Sequence, residues 1–223
     1  MREVVFDTET TGLDPAAGHR LVEVGCVELI NHLPSGREFQ SYVNPGRDMP
    51  AEAEAVHGLS SAFLAGQPPF ADVADALLSF LGDAPLVIHN ADFDIGFLNA
   101  ELNLLGRTPL PRARAIDTVA LARRRFPGAP ASLKALCQRF GIDDTKRDKH
   151  GALLDAQLLA DVYLELIGGR EPALALAATQ AAKSAGPALR RVRPPRPHPV
   201  DPDEAAAHAA LVARLKNPLW NAV

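Results

Sequence analysis

The chain has 223 residues, 47% of them hydrophobic and 22% charged, with a formal net charge of −4. That length accommodates one domain of ordinary size plus an appendage, and the apolar content is normal for a soluble globular protein. No apolar run is long enough to span a bilayer, and the opening MREVVFDTE is too short and too acidic for a signal peptide, so the cytoplasm is the expected location.

Three strand-like runs come first, EVVFDT, RLVEVGCVEL and REFQSYV, separated by turn-forming residues from Gly12 to Gly18 and from Asn31 to Gly36. This spacing predicts an antiparallel meander. PAEAEAVHGLS reads as a short helical piece, and FADVADALLSFLG as a longer helix stopped by Gly82. The alternation then changes. PLVIHN is a short buried strand leading into the helix ADFDIGFLNAELNLLG, RARAID is another strand, and TVALARRRF, ASLKALCQRFG and GALLDAQLLADVYLELIGG are helices. A meander followed by strand–helix–strand–helix predicts a mixed sheet with helices on both faces. The two cysteines, Cys26 and Cys137, sit in apolar segments without zinc-site spacing and read as buried reduced thiols.

From about Arg170 the texture changes to Ala, Pro and Arg, with six prolines from Pro187 to Pro202, the pattern of a flexible C-terminal tail. The expected organisation is a domain at 1–169, a linker at 170–200 and a terminal segment at 201–223. Asp201, Pro202 and Glu204 can start a helix there, with Leu211, Val212 and Leu215 on one stripe and Leu219 and Trp220 beyond it. A lone helix of that length is marginal in water, so a partner is expected. Residues 170–223 hold eight Lys or Arg against four Asp or Glu, which leaves the rest of the chain at −8. An acidic body argues against broad wrapping of duplex DNA, but permits a small metal-bridged contact with a nucleic-acid end.

Three clusters carry candidate chemistry. In VVFDTETTGLD, Asp7 and Glu9 fall two residues apart on a strand and share one face, with Cα atoms roughly 6–7 Å apart. Carboxylates that close repel unless a cation lies between them, and hard oxygen ligands select Mg²⁺ or Mn²⁺. An isolated Asp-x-Glu is more often two acids solvated at a strand rim, though Thr10, Thr11 and Gly12 begin a tight turn able to approach a ligand. In VIHNADFDIGF, Asp92 is the expected N-cap, which leaves Asp94 either facing a crevice at the strand end or simply favouring the helix N-terminus. His89 and Asn90 read as loop hydrogen-bonders. In KHGALLDAQLLADVY, Asp155 lies between Leu154 and Leu158 on an apolar face, where an unpaired carboxylate is costly. His150 precedes the helix and suits a general base; taken alone it reads as an ordinary surface histidine in TKRDKH.

Together, FDTETTG, HNADFDIGF and HGALLDA resemble, in order and spacing, the three motifs of the DEDDh (DnaQ-like) 3′–5′ exonucleases, and most of all their epsilon-type proofreading branch from bacterial DNA polymerase III. The likeness covers roughly residues 2–169 and includes VHGL, IDT and SLKALCQRFGID. It implies an RNase H-like α/β fold with a five-stranded mixed sheet flanked by helices. It implies that Asp7, Glu9, Asp94 and Asp155 hold two Mg²⁺ or Mn²⁺ while His150 deprotonates the attacking water, and that a terminal nucleotide lies near Thr8, Thr11, Gly12, Leu13, His57 and Phe93. The partners implied are a single-stranded or frayed DNA 3′ end, the polymerase III alpha subunit through residues 201–223, a sliding clamp through EPALAL at 171–176, and a small theta-like subunit. Glu171 stands where the clamp peptide usually has Gln, which predicts a weak contact. RNA 3′-end trimming, a non-catalytic polymerase assembly subunit and a binding module for nucleic-acid ends are the competing readings.

Overall fold

A computed structural model describes residues 1–145, 149–168 and 201–216. Five strands form one mixed sheet in the order β3-β2-β1-β4-β5: β1 (Arg2–Thr10), β2 (Leu21–Ile30), β3 (Leu33–Tyr42), β4 (Leu86–Ile88) and β5 (Ala115–Asp117). The first three are antiparallel neighbours, and β4 and β5 run parallel to β1. Among the described residues the α-helices are α1 (Ala51–His57), α2 (Ser61–Leu64), α3 (Phe70–Leu81), α4 (Ala91–Leu104), α5 (Thr118–Arg125), α6 (Leu133–Phe140), α7 (Ala152–Leu166) and α8 (Pro202–Arg214). The meander followed by βαβα is the expected mixed sheet, and the short helix α2, capped by Ser60, was not anticipated.

Side chains alternate along β1, and the alternation sorts the two cores. Val4 and Phe6 join the cluster built with α3 and α4, whereas Val5 joins Val27, Val87 and the residues of α5, α6 and α7. Asp7 and Glu9 follow Val5 onto the α7 face, and Thr8 follows Phe6 onto the α4 face. Both cysteines are buried reduced thiols.

Two boundaries differ from the sequence reading. The expected break from Asn31 to Gly36 is only the two residues Asn31 and His32, both at positive φ, the geometry of a tight hairpin turn. β3 resumes at Leu33 and absorbs Gly36, at φ 87, where its register with β2 shifts. β1 runs on through Thr10 rather than stopping at Thr8, so Glu9 is a strand residue.

Helix α7 lies unusually close to the sheet, and Gly25 is the reason. A Cβ at this position would stand 2.2 Å from the backbone of Ala152 and Leu153. Gly25→Ala is therefore expected to push α7 off β2, costing about 1–3 kcal/mol as overpacking does, read as a lower urea midpoint at unchanged slope.

The chain divides into two units, Met1–Leu174 and Ala175–Val223. In the second, Asp201 caps α8 by accepting the Asp203 N–H at 2.8 Å, and Pro202 occupies its first turn, as the sequence predicts. The linker at 170–200, EPALAL, Leu219 and Trp220 lie outside the described residues. No helix among the described residues is long and apolar enough to cross a membrane.

Candidate active site

The site gathers where β1 outruns its parallel neighbour. β4 pairs with Val4 and Val5 only, so the second half of β1 runs past it at the C-terminal ends of β4 and β5, where open α/β sheets place their ligand sites. The candidate side chains come from β1, α4, the residues just before α7, and α7 itself.

From the α7 face, ligand atoms of Glu9, His150 and Asp155 all lie within 4.8 Å of one another. Glu9 is 8% exposed and Asp155 3%, and His150 Nδ1 stands 3.4 Å from Asp155 Oδ2. The loop that carries His150 is pinned at its base, because the His150 N–H donates to Val56 O at 3.2 Å. Lys149 next to it crosses over Gly58, the left-handed cap of α1 at φ 78.

From the α4 face, Asp94 is 3% exposed, and Thr8 Oγ1 donates to its Oδ1 at 2.7 Å. Burial pushes the Asp94 carboxyl up to about 7, against the Thr8 hydroxyl and nearby backbone N–H groups that stabilise its charge, while the Asp117 carboxylate raises it further. Asp94 thus meets β1 at the residue between Asp7 and Glu9. Asp7 and Asp94 are not part of the Glu9–His150–Asp155 group. Asp7 shares the Glu9 face, opposite Gly25 in β2, and helps hold the buried Cys26 thiol above its ordinary pKa, after burial itself.

The N-cap of α4 corrects the sequence reading. Asn90, at φ 71, takes that position without a side-chain cap, while Asp92 is exposed and paired with Arg112. A left-handed Asn is a conformation its short polar side chain tolerates, and it turns the chain sharply from β4 so that Asp94 faces inward. His89 and Thr118 bond one another at 2.9 Å, consistent with a loop role for His89.

The expected nucleotide neighbours divide by what their groups already do. The Thr8 hydroxyl serves Asp94. The Thr11 hydroxyl accepts the Arg20 N–H at 3.0 Å and meets His19 Nδ1 at 3.1 Å, so it builds the turn after β1, and Gly12 leaves room there for the His19 ring. Leu13 is 86% exposed, and Phe93 is half-buried against Phe97. His57 Nδ1 accepts the Leu59 N–H at 3.0 Å, which leaves its buried Nε2 without a well-formed hydrogen bond. Burial holds this imidazole below its ordinary pKa, helped by the neighbouring His150 and Lys149 and opposed by the Thr10 backbone and Glu54.

Two polar anchors were missed by sequence reasoning. Arg20 clamps Glu101 through two bonds of 2.6 Å, tying α4 to the start of β2. Glu23, in β2, is 2% exposed and bonds α7. Both could have been suspected from charges inside apolar runs, RLVEVG and NAELNLL.

The donors suit a hard divalent cation, since they are carboxylate oxygens with one imidazole, partly withdrawn from water. The exonuclease family model matches residues 4–163, nearly the whole first unit. The chain belongs to the exonuclease family. The DNA polymerase III subunit epsilon of Rickettsia conorii is 54% identical over 176 residues, 78% of this chain and 76% of the relative. That of Escherichia coli K12 is 46% identical over 177 residues, 76% and 72% of the two chains. Among solved structures, exonuclease X in complex with 5′ overhanging duplex DNA is 27% identical with a TM-score of 0.59, covering 74% of this chain and 91% of that one. The nuclease domain of 3′hExo bound to rAMP, a DEDDh member 21% identical, has a TM-score of 0.65 over 75% and 92% of the two chains and carries the same fold. The protein is accordingly a 3′–5′ exonuclease of the proofreading type, from a family that uses divalent metal ions.

Proposed function

We propose that this exonuclease edits DNA for a replicative polymerase, releasing 5′-mononucleotides from mispaired or single-stranded 3′ ends, with Asp7, Glu9, Asp94 and Asp155 holding two Mg²⁺ or Mn²⁺. The observation that carries the reading is the approach of Glu9, His150 and Asp155 within 4.8 Å, with Asp94 bonded to the residue beside Glu9. Four acids drawn from β1, α4 and α7 would repel one another and the phosphate unless cations lay among them. Bound there, such ions neutralise the phosphate and stabilise the attacking and leaving oxygens of an in-line displacement.

The remaining steps belong to side chains. Asp155, beside Nδ1 of His150, orients the imidazole so that Nε2 is the nitrogen that takes the proton of the attacking water. The buried His57 lies near the terminal nucleotide, and Phe93 and the exposed Leu13 offer apolar surface to its base and to the next one. Aromatic residues make up only 5% of the chain, so the grip is short. A short grip needs an unstacked end, and a mispaired terminus is cheaper to unstack than a matched one.

The relatives named as polymerase III epsilon subunits support an assembly role. In that role, residues 201–223 dock on the polymerase alpha subunit, residues 171–176 touch a sliding clamp weakly, and the domain accepts a small theta-like subunit.

The test offers a 3′-mismatched primer, a matched primer and an RNA oligomer with Mg²⁺, using Asp7→Ala as control. Mononucleotides should appear fastest from mismatched DNA and not at all with the control. Preference for RNA would favour an RNA-trimming enzyme, and no release from any substrate would leave only the assembly role.

A further inference from the structure

We propose that Glu23 is a positioning residue for this centre: its carboxylate ties the first turn of α7 to β2 and so sets where Asp155 stands relative to Glu9. The inference rests on the metal-dependent reading above. Glu23 lies directly opposite Glu9 in the antiparallel β1–β2 pair, so the two side chains share the α7 face with Cβ atoms roughly 4.5–5.5 Å apart. Both oxygens of Glu23 are engaged. Oε2 accepts the Ala152 N–H at 3.1 Å, and Oε1 accepts Gln40 Nε2 at 2.7 Å from β3.

Helix α7 needs such a partner. Its first N–H groups have no acceptors within the helix, and its N-cap, Gly151, has no side chain to supply one. Glu23 supplies the missing acceptor from across the sheet, and a negative group at a helix N-terminus is favoured there. Ala152 and Asp155 are three residues apart and thus on one helix face. The capped N–H is therefore one turn from the Asp155 carboxylate, and the carboxylate that caps it is one strand from Glu9. Gly25 completes the device by letting the α7 backbone rest against β2. A second buried acid facing Glu9 is unfavourable on like-charge grounds, and anchoring the start of α7 is what offsets that cost.

The test uses the full-length chain with Glu23→Met, which fills similar volume without an acceptor, and Glu23→Gln, which keeps an oxygen for Ala152. Mn²⁺ binding is followed by electron paramagnetic resonance at a temperature where circular dichroism shows every variant folded, alongside kcat and KM on a mismatched primer. Glu23→Met should weaken Mn²⁺ binding by about 10–100-fold, the range for losing a group that orients metal ligands, and lower kcat more than it changes KM. Glu23→Gln should recover most of both losses. If Glu23→Met does not fold, Glu23→Asp, one methylene short of the helix, should show the same weakening. A folded Glu23→Met or Glu23→Asp with wild-type Mn²⁺ affinity would overturn the proposal, as would a Glu23→Gln no better than Glu23→Met. A wild-type chain that binds no Mn²⁺ would overturn the metal reading itself, a result separate from these.

Discussion

Replacing His150 with alanine should lower single-turnover cleavage of a mismatched primer by roughly 10²–10⁴-fold, the span a general base contributes, while Mn²⁺ binding stays near that of the wild type. The two measurements are needed together because the imidazole stands within ligand range of both Glu9 and Asp155. A base is lost without loss of the ions; a ligand is lost with them. Position favours the first outcome. His150 lies outside α7, on a loop held through its backbone to Val56, and is half exposed, whereas Glu9 and Asp155 are buried on rigid elements. Loss of Mn²⁺ binding in His150→Ala would make this residue a ligand and leave the proton to another group.

Asp94→Asn should separate stability from activity. Without metal, burial pushes the Asp94 carboxyl up to about 7, against roughly 3.9 in an unfolded chain. Between those values the folded state binds more protons than the unfolded one, so stability falls as pH rises from about 4 to about 7 and stays reduced above. Asparagine removes this penalty and can still accept the Thr8 hydroxyl through its amide oxygen. The metal-free variant should therefore melt higher than the wild type at pH 8, by at least about 2–4 °C, the shift that about 1 kcal/mol produces in a domain of this size. At pH 4 the two should melt together. The same variant should lose roughly 10²-fold or more in activity, equivalent to about 2.7 kcal/mol of transition-state stabilisation, and Mg²⁺ should raise its melting point less than that of the wild type. A variant no more stable than the wild type at pH 8 would mean that Asp94 is not strained when the ions are absent.

The order of elements was legible because it rests on local periodicities. Apolar residues at helical spacing marked α3, α4 and α7; Gly82 ended α3; Asp201 and Pro202 began α8. The period of two along β1 was enough to place Asp7 and Glu9 on one face. A left-handed cap and a hairpin depend instead on φ values that several residues can adopt, and there the local pattern misled. Asp92 and Asn90 have similar propensity to cap a helix, and it is Asn90 that turns the chain. A six-residue break was expected where Asn31 and His32 suffice.

What the sequence by itself determined is the set of chemical groups and the element that carries each one: two acids on a strand, one at a helix start, one inside an apolar helix and a histidine just ahead of it. Only the tertiary structure decided their company. It brought Asp155 and His150 to Glu9 from one side of the sheet and Asp94 to Thr8 from the other, and placed Glu23 under the first turn of α7. Strand and helix periods act over a few residues and are written in the local pattern. Contacts such as Ala152 with Glu23, 129 positions apart, depend on how closely a helix and a sheet can approach, and in this fold that distance is governed by the missing side chain of Gly25.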